Sequence, residues 1–120
     1  MPQPSPREVE LVVFEAGGRR WAADAWDVLR VDRRQAELPT AWVTAATGRR
    51  ALIVGLGGGE VQVPIDRLVG FERVGEGALR PLPPFTRGLA GPQVIGAWLA
   101  PSEIVLLIDL QALVKESSRG

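Results

Sequence analysis

The sequence predicts an all-β fold assembled from two related halves, and three observations carry that expectation. Short β-branched and aliphatic runs recur along the chain, such as Leu11-Val12-Val13-Phe14, Ala51-Leu52-Ile53-Val54 and Glu103 to Ile108. Glycine pairs that tolerate positive φ follow the first two runs, as hairpin turns require. One phrase then occurs twice. Laying Val13 on Ile53 places Gly17-Gly18 on Gly57-Gly58, Trp21 on Val61, and Val28-Leu29 on Leu68-Val69. An internal repeat of this size in a small chain implies two pseudo-equivalent β layers or barrels.

In chain order, residues 1 to 9 hold three prolines without apolar periodicity and read as a disordered tail. Leu11 to Phe14 is a strand, Gly17-Gly18 its turn, and Trp21 to Ala23 the start of the return strand. Asp24 to Asp27 reads as a single turn, with Asp24 capping the amides that follow. Val28, Leu29 and Val31 resume extended, β-branched character. The second copy runs from Ala51 through a Gly57-Gly58-Gly59 turn to Val61, Val63 and Ile65, with a turn at Asp66-Arg67. Leu68-Val69 and Phe71 to Val74 follow as strand. Gly75 to Gln93 is rich in glycine and proline and reads as a long loop. Val94 to Leu99 and Glu103 to Ile108 close as a hairpin about Ala100-Pro101-Ser102. Asp109 then caps a short helix through Leu110, Leu113 and Val114.

Composition narrows the function. The chain has 120 residues, one domain's worth, and 46% of them are hydrophobic, which is enough for a core. Basic and acidic residues balance at 14 each, without the basic excess of a nucleic-acid binder. Cysteine, histidine and tyrosine are all absent. The usual thiol nucleophile, general base and metal ligands are therefore missing. No catalytic, cofactor-binding or metal-ligating residue is expected, and no cofactor. The longest aliphatic run, Ile104 to Ile108, falls far short of the roughly 20 residues of a membrane span. No signal peptide opens the chain, so a cytoplasmic protein without membrane insertion is expected.

Residues that look chemical have plainer readings. Gly55 to Glu60 resembles a phosphate loop, but alternating residues follow it where a helix is needed, so it reads as a hairpin turn. Asp24, Asp27, Asp66 and Asp109 read as turn and cap residues without a partner base. Trp21 and Trp98 fall inside strands and read as core, while Trp26 is open between core and contact. Trp42 stands in an irregular stretch and is a candidate interface residue, with packing as the alternative. The pairs Arg19-Arg20, Arg33-Arg34 and Arg49-Arg50 read first as solvated strand edges.

The order of these segments resembles the CheW-like domains of bacterial chemosensory systems. Val13 to Ala22 is similar to the family's opening strand–turn–strand, and Val28-Leu29-Arg30-Val31 to the hydrophobic segment after it. Val63-Pro64-Ile65-Asp66-Arg67-Leu68-Val69 is similar to its second-half strand and turn. Leu82-Pro83, Val94-Ile95-Gly96 and Leu106 to Leu110 resemble its ending, and the likeness covers most of residues 10 to 115. It implies two pseudo-symmetric small β-barrel subdomains and a short C-terminal helix. One domain is expected at 10–116, with subdomains at about 10–50 and 51–110 and a tail at 117–120.

The family's central Asn-x-Arg-Gly turn and Pro-Val-x-Asp-Leu strand are absent between Asp32 and Arg50, so the first barrel is expected to be truncated. Lost strands leave an open edge, to be covered by residues 32–50 folding back, by a second copy, or by another partner. The function implied is a non-catalytic adaptor or scaffold, whose partners are a CheA-type histidine kinase, a chemoreceptor or another CheW-like protein. Motility control and a homodimer through the open edge belong to the same expectation. Arg34, Trp42, Arg49, Arg50 and Phe71 are the expected protein-binding residues. The alternative is a small-molecule sensor or carrier with a cavity between the β units.

Overall fold

A computed structural model describes residues 7–82 and 93–118. Two hairpins dominate it. The first joins β1 (Glu8–Ala16) to β2 (Arg19–Asp24), and the second joins β4 (Arg50–Leu56) to β5 (Gly59–Ile65). The turns are Gly17-Gly18, with φ of 63° and 76°, and Gly57-Gly58, with φ of 58° and 84°. Two successive positive φ values match the twist of flanking strands and exclude most side chains, which explains both glycine pairs. Gly59, expected in the second turn, already belongs to β5.

Each hairpin is followed by a third strand, β3 (Val28–Arg33) after the first and β6 (Arg67–Gly75) after the second. The two copies exchange these strands. β3 pairs with β4, and β6 pairs with β1, both antiparallel. The resulting sheets are β3-β4-β5 and a six-stranded sheet in which the order β6-β1-β2 continues into three later strands. The strands within residues 28–65 thus build one sheet, while those within residues 8–24 share the other with the described strands after residue 66. The strand β6 runs unbroken through Gly70, whose φ of 154° accompanies a register shift opposite Val13 and Phe14.

The remaining elements complete the larger sheet. β7 (Leu79–Pro81), β8 (Val94–Leu99) and β9 (Ile104–Ile108) are antiparallel neighbours, and β9 pairs in parallel with β2. A 3-10 turn at Glu76–Ala78 and the three residues of β7 lie where a loop was expected. β7 is too short to announce itself and exists through its pairing with β8. The rest of that expected loop, 83–92, lies outside the described residues, as do 1–6 and 119–120.

Two apolar clusters hold the layers together. Val12 and Phe14 point from β1 toward Leu52, Val54, Val63 and Ile65 of the smaller sheet and toward Leu110 and Val114 of α1 (Leu110–Ser118). Leu11 and Val13, on the opposite face of β1, meet Ala22, Val74 and Val105, with Leu79 and Trp98 packed alongside. β1 is therefore buried on both faces, which explains an uninterrupted apolar run in place of alternation. Val74 of β6 and Leu79 of β7 share the second cluster although their strands are the two ends of the sheet. The sheet curls into a barrel-like unit, and no closed barrel forms among the described residues.

Local signals hold as expected. Trp21 is buried and donates its indole N–H to the Ala16 carbonyl at 3.1 Å. Asp24 accepts from the Trp26 amide at 2.9 Å, capping the 3-10 turn Ala25–Asp27. Asp109 accepts from the Ala112 amide at 3.1 Å at the start of α1. Leu110, Leu113 and Val114, one face of that helix, are buried.

Candidate protein-interaction surface

The segment between β3 and β4 folds back on the free edge of β5, and Gln62 is the clasp. The Gln62 amide donates to the Pro39 carbonyl and its own carbonyl accepts from the Ala41 amide, each at 2.9 Å. Its side chain, 3% exposed as a residue, accepts from the Gln35 amide at 2.9 Å. The carboxamide nitrogen donates to the carbonyls of Gln35 (2.6 Å) and Leu38 (3.2 Å) and to the Thr40 hydroxyl (3.0 Å). A buried amide is tolerated because it is satisfied in this way. Strand alternation gives Glu60 and Pro64 the same outward edge as Gln62, and Pro64 has no N–H to offer. Of the three covers expected for an open edge, the chain's own segment is the one found at β5.

The far end of the segment is held by Asp66. Its carboxylate accepts from the amides of Thr47 (2.7 Å), Gly17 (2.9 Å) and Gly48 (3.0 Å). These backbone donors, Thr47 first, hold its pKa below the usual carboxylate value. Gly48 passes so close to the β5–β6 corner that a Cβ there would stand 2.2 Å from the Ile65 carbonyl oxygen. Asp66 was legible as a turn residue. Its role as anchor for a loop and for the first hairpin turn was not, because those donors are remote in sequence.

On this anchored segment the expected contact residues gather. The Arg34 amide donates to the Arg49 carbonyl at 2.8 Å, extending the β3–β4 ladder by one bond. The Arg34 guanidinium lies 5.0 Å from the centroid of the Trp42 ring, a cation–π stack, and Trp42 remains 45% exposed. Arg49 and Arg50 are exposed, and Arg50 stands opposite Arg33 in the ladder. Arg34, Trp42, Arg49 and Arg50 therefore share one end of the smaller sheet, joined by Arg33. Phe71 does not join them: it lies on β6, the outermost strand of the larger sheet, opposite Val12 and half-exposed.

Three other arginines are neutralised. Arg30 forks onto both Glu60 oxygens at 2.8 Å and reaches Asp32 at 3.2 Å. Glu60, at the end of the stretch that resembles a phosphate loop, thus serves an ion pair. Glu15 receives Arg67 and Arg20, and those guanidiniums, Arg67 first, hold its pKa down to about 2. Trp26, left open between core and contact, is exposed, and exposed apolar side chains that the sequence did not single out include Leu29 and the cross-strand pair Leu99 and Ile104 at the tip of the last hairpin.

A cavity of about 160 Å³ is lined by Val13, Val69, Trp98 and Val105, with Arg20 and Glu103 at its margin. Another, about 300 Å³, is lined by Leu11, Leu79, Leu107, Asp24, Asp27 and Asp109. Both lie along the larger sheet and its flanking turns. Burial first, then Asp24 and Asp109, raise the Asp27 pKa. Among the described residues no group of three acidic side chains is placed to hold a metal, and no helix is long and apolar enough to cross a membrane.

No family model matches the chain. It is 31% identical over 116 residues to the frizzy aggregation protein FrzB of Myxococcus xanthus, covering 92% of this chain and 99% of that protein. Its fold is similar to that of the scaffolding protein TtCheW from Thermoanaerobacter tengcongensis, with a TM-score of 0.69 over 92% of this chain and 90% of the other. The identity there is 17%, so that likeness is one of fold.

Proposed function

The chain belongs to the CheW-like family of non-catalytic scaffolds, and from that premise we propose that it links or modulates assemblies of chemoreceptor and CheA-type histidine kinase in a motility-controlling chemosensory pathway. A chemotaxis adaptor is the role the family carries. The single observation behind this reading is the extent of the sequence match, which runs over 99% of the relative. The short connection between β3 and β4 therefore falls within an alignment that spans almost all of FrzB, and the likeness is to a whole small domain.

Arg34, Trp42, Arg49 and Arg50 form the main contact surface in this proposal. Phe71, on β6, the outermost described strand of the larger sheet, forms a separate one. The anchored segment supports the first assignment, because an interface residue held by Gln62 and Asp66 loses little conformational freedom on binding.

The test is a pull-down with the purified chain as bait from cells expressing a chemoreceptor and a CheA-type kinase, with the chain's mass in solution measured in the same preparation. Recovery of either partner, weakened by Trp42→Ala, supports the reading. Recovery of neither, in a chain that remains folded, overturns it.

A further inference from the structure

Charge is balanced over the chain, 14 against 14, yet the fold separates it. Arg33 and Arg50 are direct partners across the β3–β4 ladder. Residues so paired leave the same face of a sheet side by side, and like charges there repel. Arg34 and Arg49 follow at the next step, joined through the backbone at 2.8 Å. Four guanidiniums therefore radiate from one end of a short ladder. Among the described residues none of the four forms an ion pair, whereas Arg20, Arg30 and Arg67 all do. Asp32 is close enough to feel Arg33, but its oxygens already accept from Arg30, from the Arg33 amide and from Gln35. Beneath Arg34 lies the half-exposed indole of Trp42.

We propose that Arg33, Arg34, Arg49, Arg50 and Trp42 form a docking surface for an acidic protein segment carrying at least two carboxylates and a neighbouring apolar side chain. The proposal rests on the adaptor reading above and adds the chemistry of the partner. Guanidinium forks take carboxylates in bidentate fashion, and their repulsion is relieved when they do. The stack on Trp42 presets the Arg34 fork, and the exposed part of the ring offers a flat apolar floor for the partner's side chain. A nucleic acid fits less well, since tracking a phosphate backbone calls for a longer basic stripe and a net positive chain.

The probe is a fluorescein-labelled peptide of Glu and Ala with a single Leu, set against the same peptide with Gln in place of Glu. Fluorescence anisotropy with the full chain is expected to show binding of the Glu peptide, weakened by salt, and little binding of the Gln peptide. Arg49→Glu with Arg50→Glu is expected to weaken binding at least tenfold. Arg19→Glu with Arg80→Glu, the same change in net charge elsewhere on the surface, is expected to leave most of it. Circular dichroism checks that each variant is folded. Equal weakening by both double variants, no binding by the native chain, or stronger binding of oligouridylate or phosphatidylglycerol vesicles overturns the proposal. If chemosensory partners are recovered equally by the native chain and by Arg49→Glu with Arg50→Glu, the adaptor reading stands and acidic recognition falls. If the acidic peptide binds specifically but no such partner is recovered, the adaptor reading falls and the docking chemistry stands.

Discussion

Gln62 grips Gln35 through both ends of its carboxamide: the oxygen accepts the Gln35 amide at 2.9 Å, and the nitrogen donates to the Gln35 carbonyl at 2.6 Å. The same nitrogen also serves Leu38 and Thr40. Gln62→Glu keeps the shape and removes the donor, leaving carbonyls facing a carboxylate. A loss of about 1–3 kcal/mol is expected, as for buried polar groups stripped of a partner. Urea denaturation measures it, and faster exchange of the Ala41 amide would show that the cover on β5 has loosened. An unchanged midpoint would mean that the backbone bridge alone holds the segment.

Arg50→Glu should have the opposite sign. It replaces a like-charged cross-strand pair with Arg33 by an attractive one. Exposed pairs of this kind are screened, so the expected gain is about 0.5 kcal/mol. Thermal melts at low and high salt check it, since the gain should shrink with salt. A more stable variant that binds acidic peptide less well would identify the arginine pair as retained for contact at a cost in stability.

Acid should weaken the fold through Glu15 and Asp66. Both have pKa values below their ordinary ones, 4.5 for Glu15 and 3.8 for Asp66, and Glu15 falls to about 2. In the acid range the unfolded chain binds more protons than the folded one, so stability rises with pH there. Their contribution is complete above about pH 4.5 and is lost as the pH falls toward 2. Asp66→Asn should lower the melting temperature at neutral pH and flatten this acid limb. A native-like limb in that variant would assign the acid sensitivity elsewhere.

Two glycines should differ in cost. Gly58→Ala meets no atom within 4 Å but sits at φ 84°, so strain alone costs about 1 kcal/mol. Gly48→Ala drives a Cβ to 2.2 Å from the Ile65 carbonyl oxygen and 2.8 Å from Asp66 Cα. Backbone cannot step aside as a side chain can, and a cost of about 2–3 kcal/mol is expected. Paired urea curves would test the order. A milder Gly48→Ala would show that the corner has room to shift.

Much of the local structure was legible because its causes are local. Two glycine pairs specify two hairpin turns through allowed φ alone. Asp24 and Asp109 cap the amides just beyond them, and Leu110, Leu113 and Val114 mark one face of a helix by spacing. The repeat itself was visible in the order of residues. So were Arg34, Trp42, Arg49 and Arg50 as candidates, since unpatterned tryptophan and paired arginines stand out against alternating strands.

The tertiary structure decided what depends on partners remote in sequence. Hydrophobic alternation tells a strand which face to bury, but not which neighbour will complete its hydrogen bonds. The exchange of β3 and β6 between the copies could therefore not be read from either copy. For the same reason Gln62 looked like one polar residue in an alternating strand, and Asp66 like one turn carboxylate. Their donors and acceptors lie in a segment whose path only packing defines. Arg33 and Arg50 were legible as charges, and only the β3–β4 register sets them against each other.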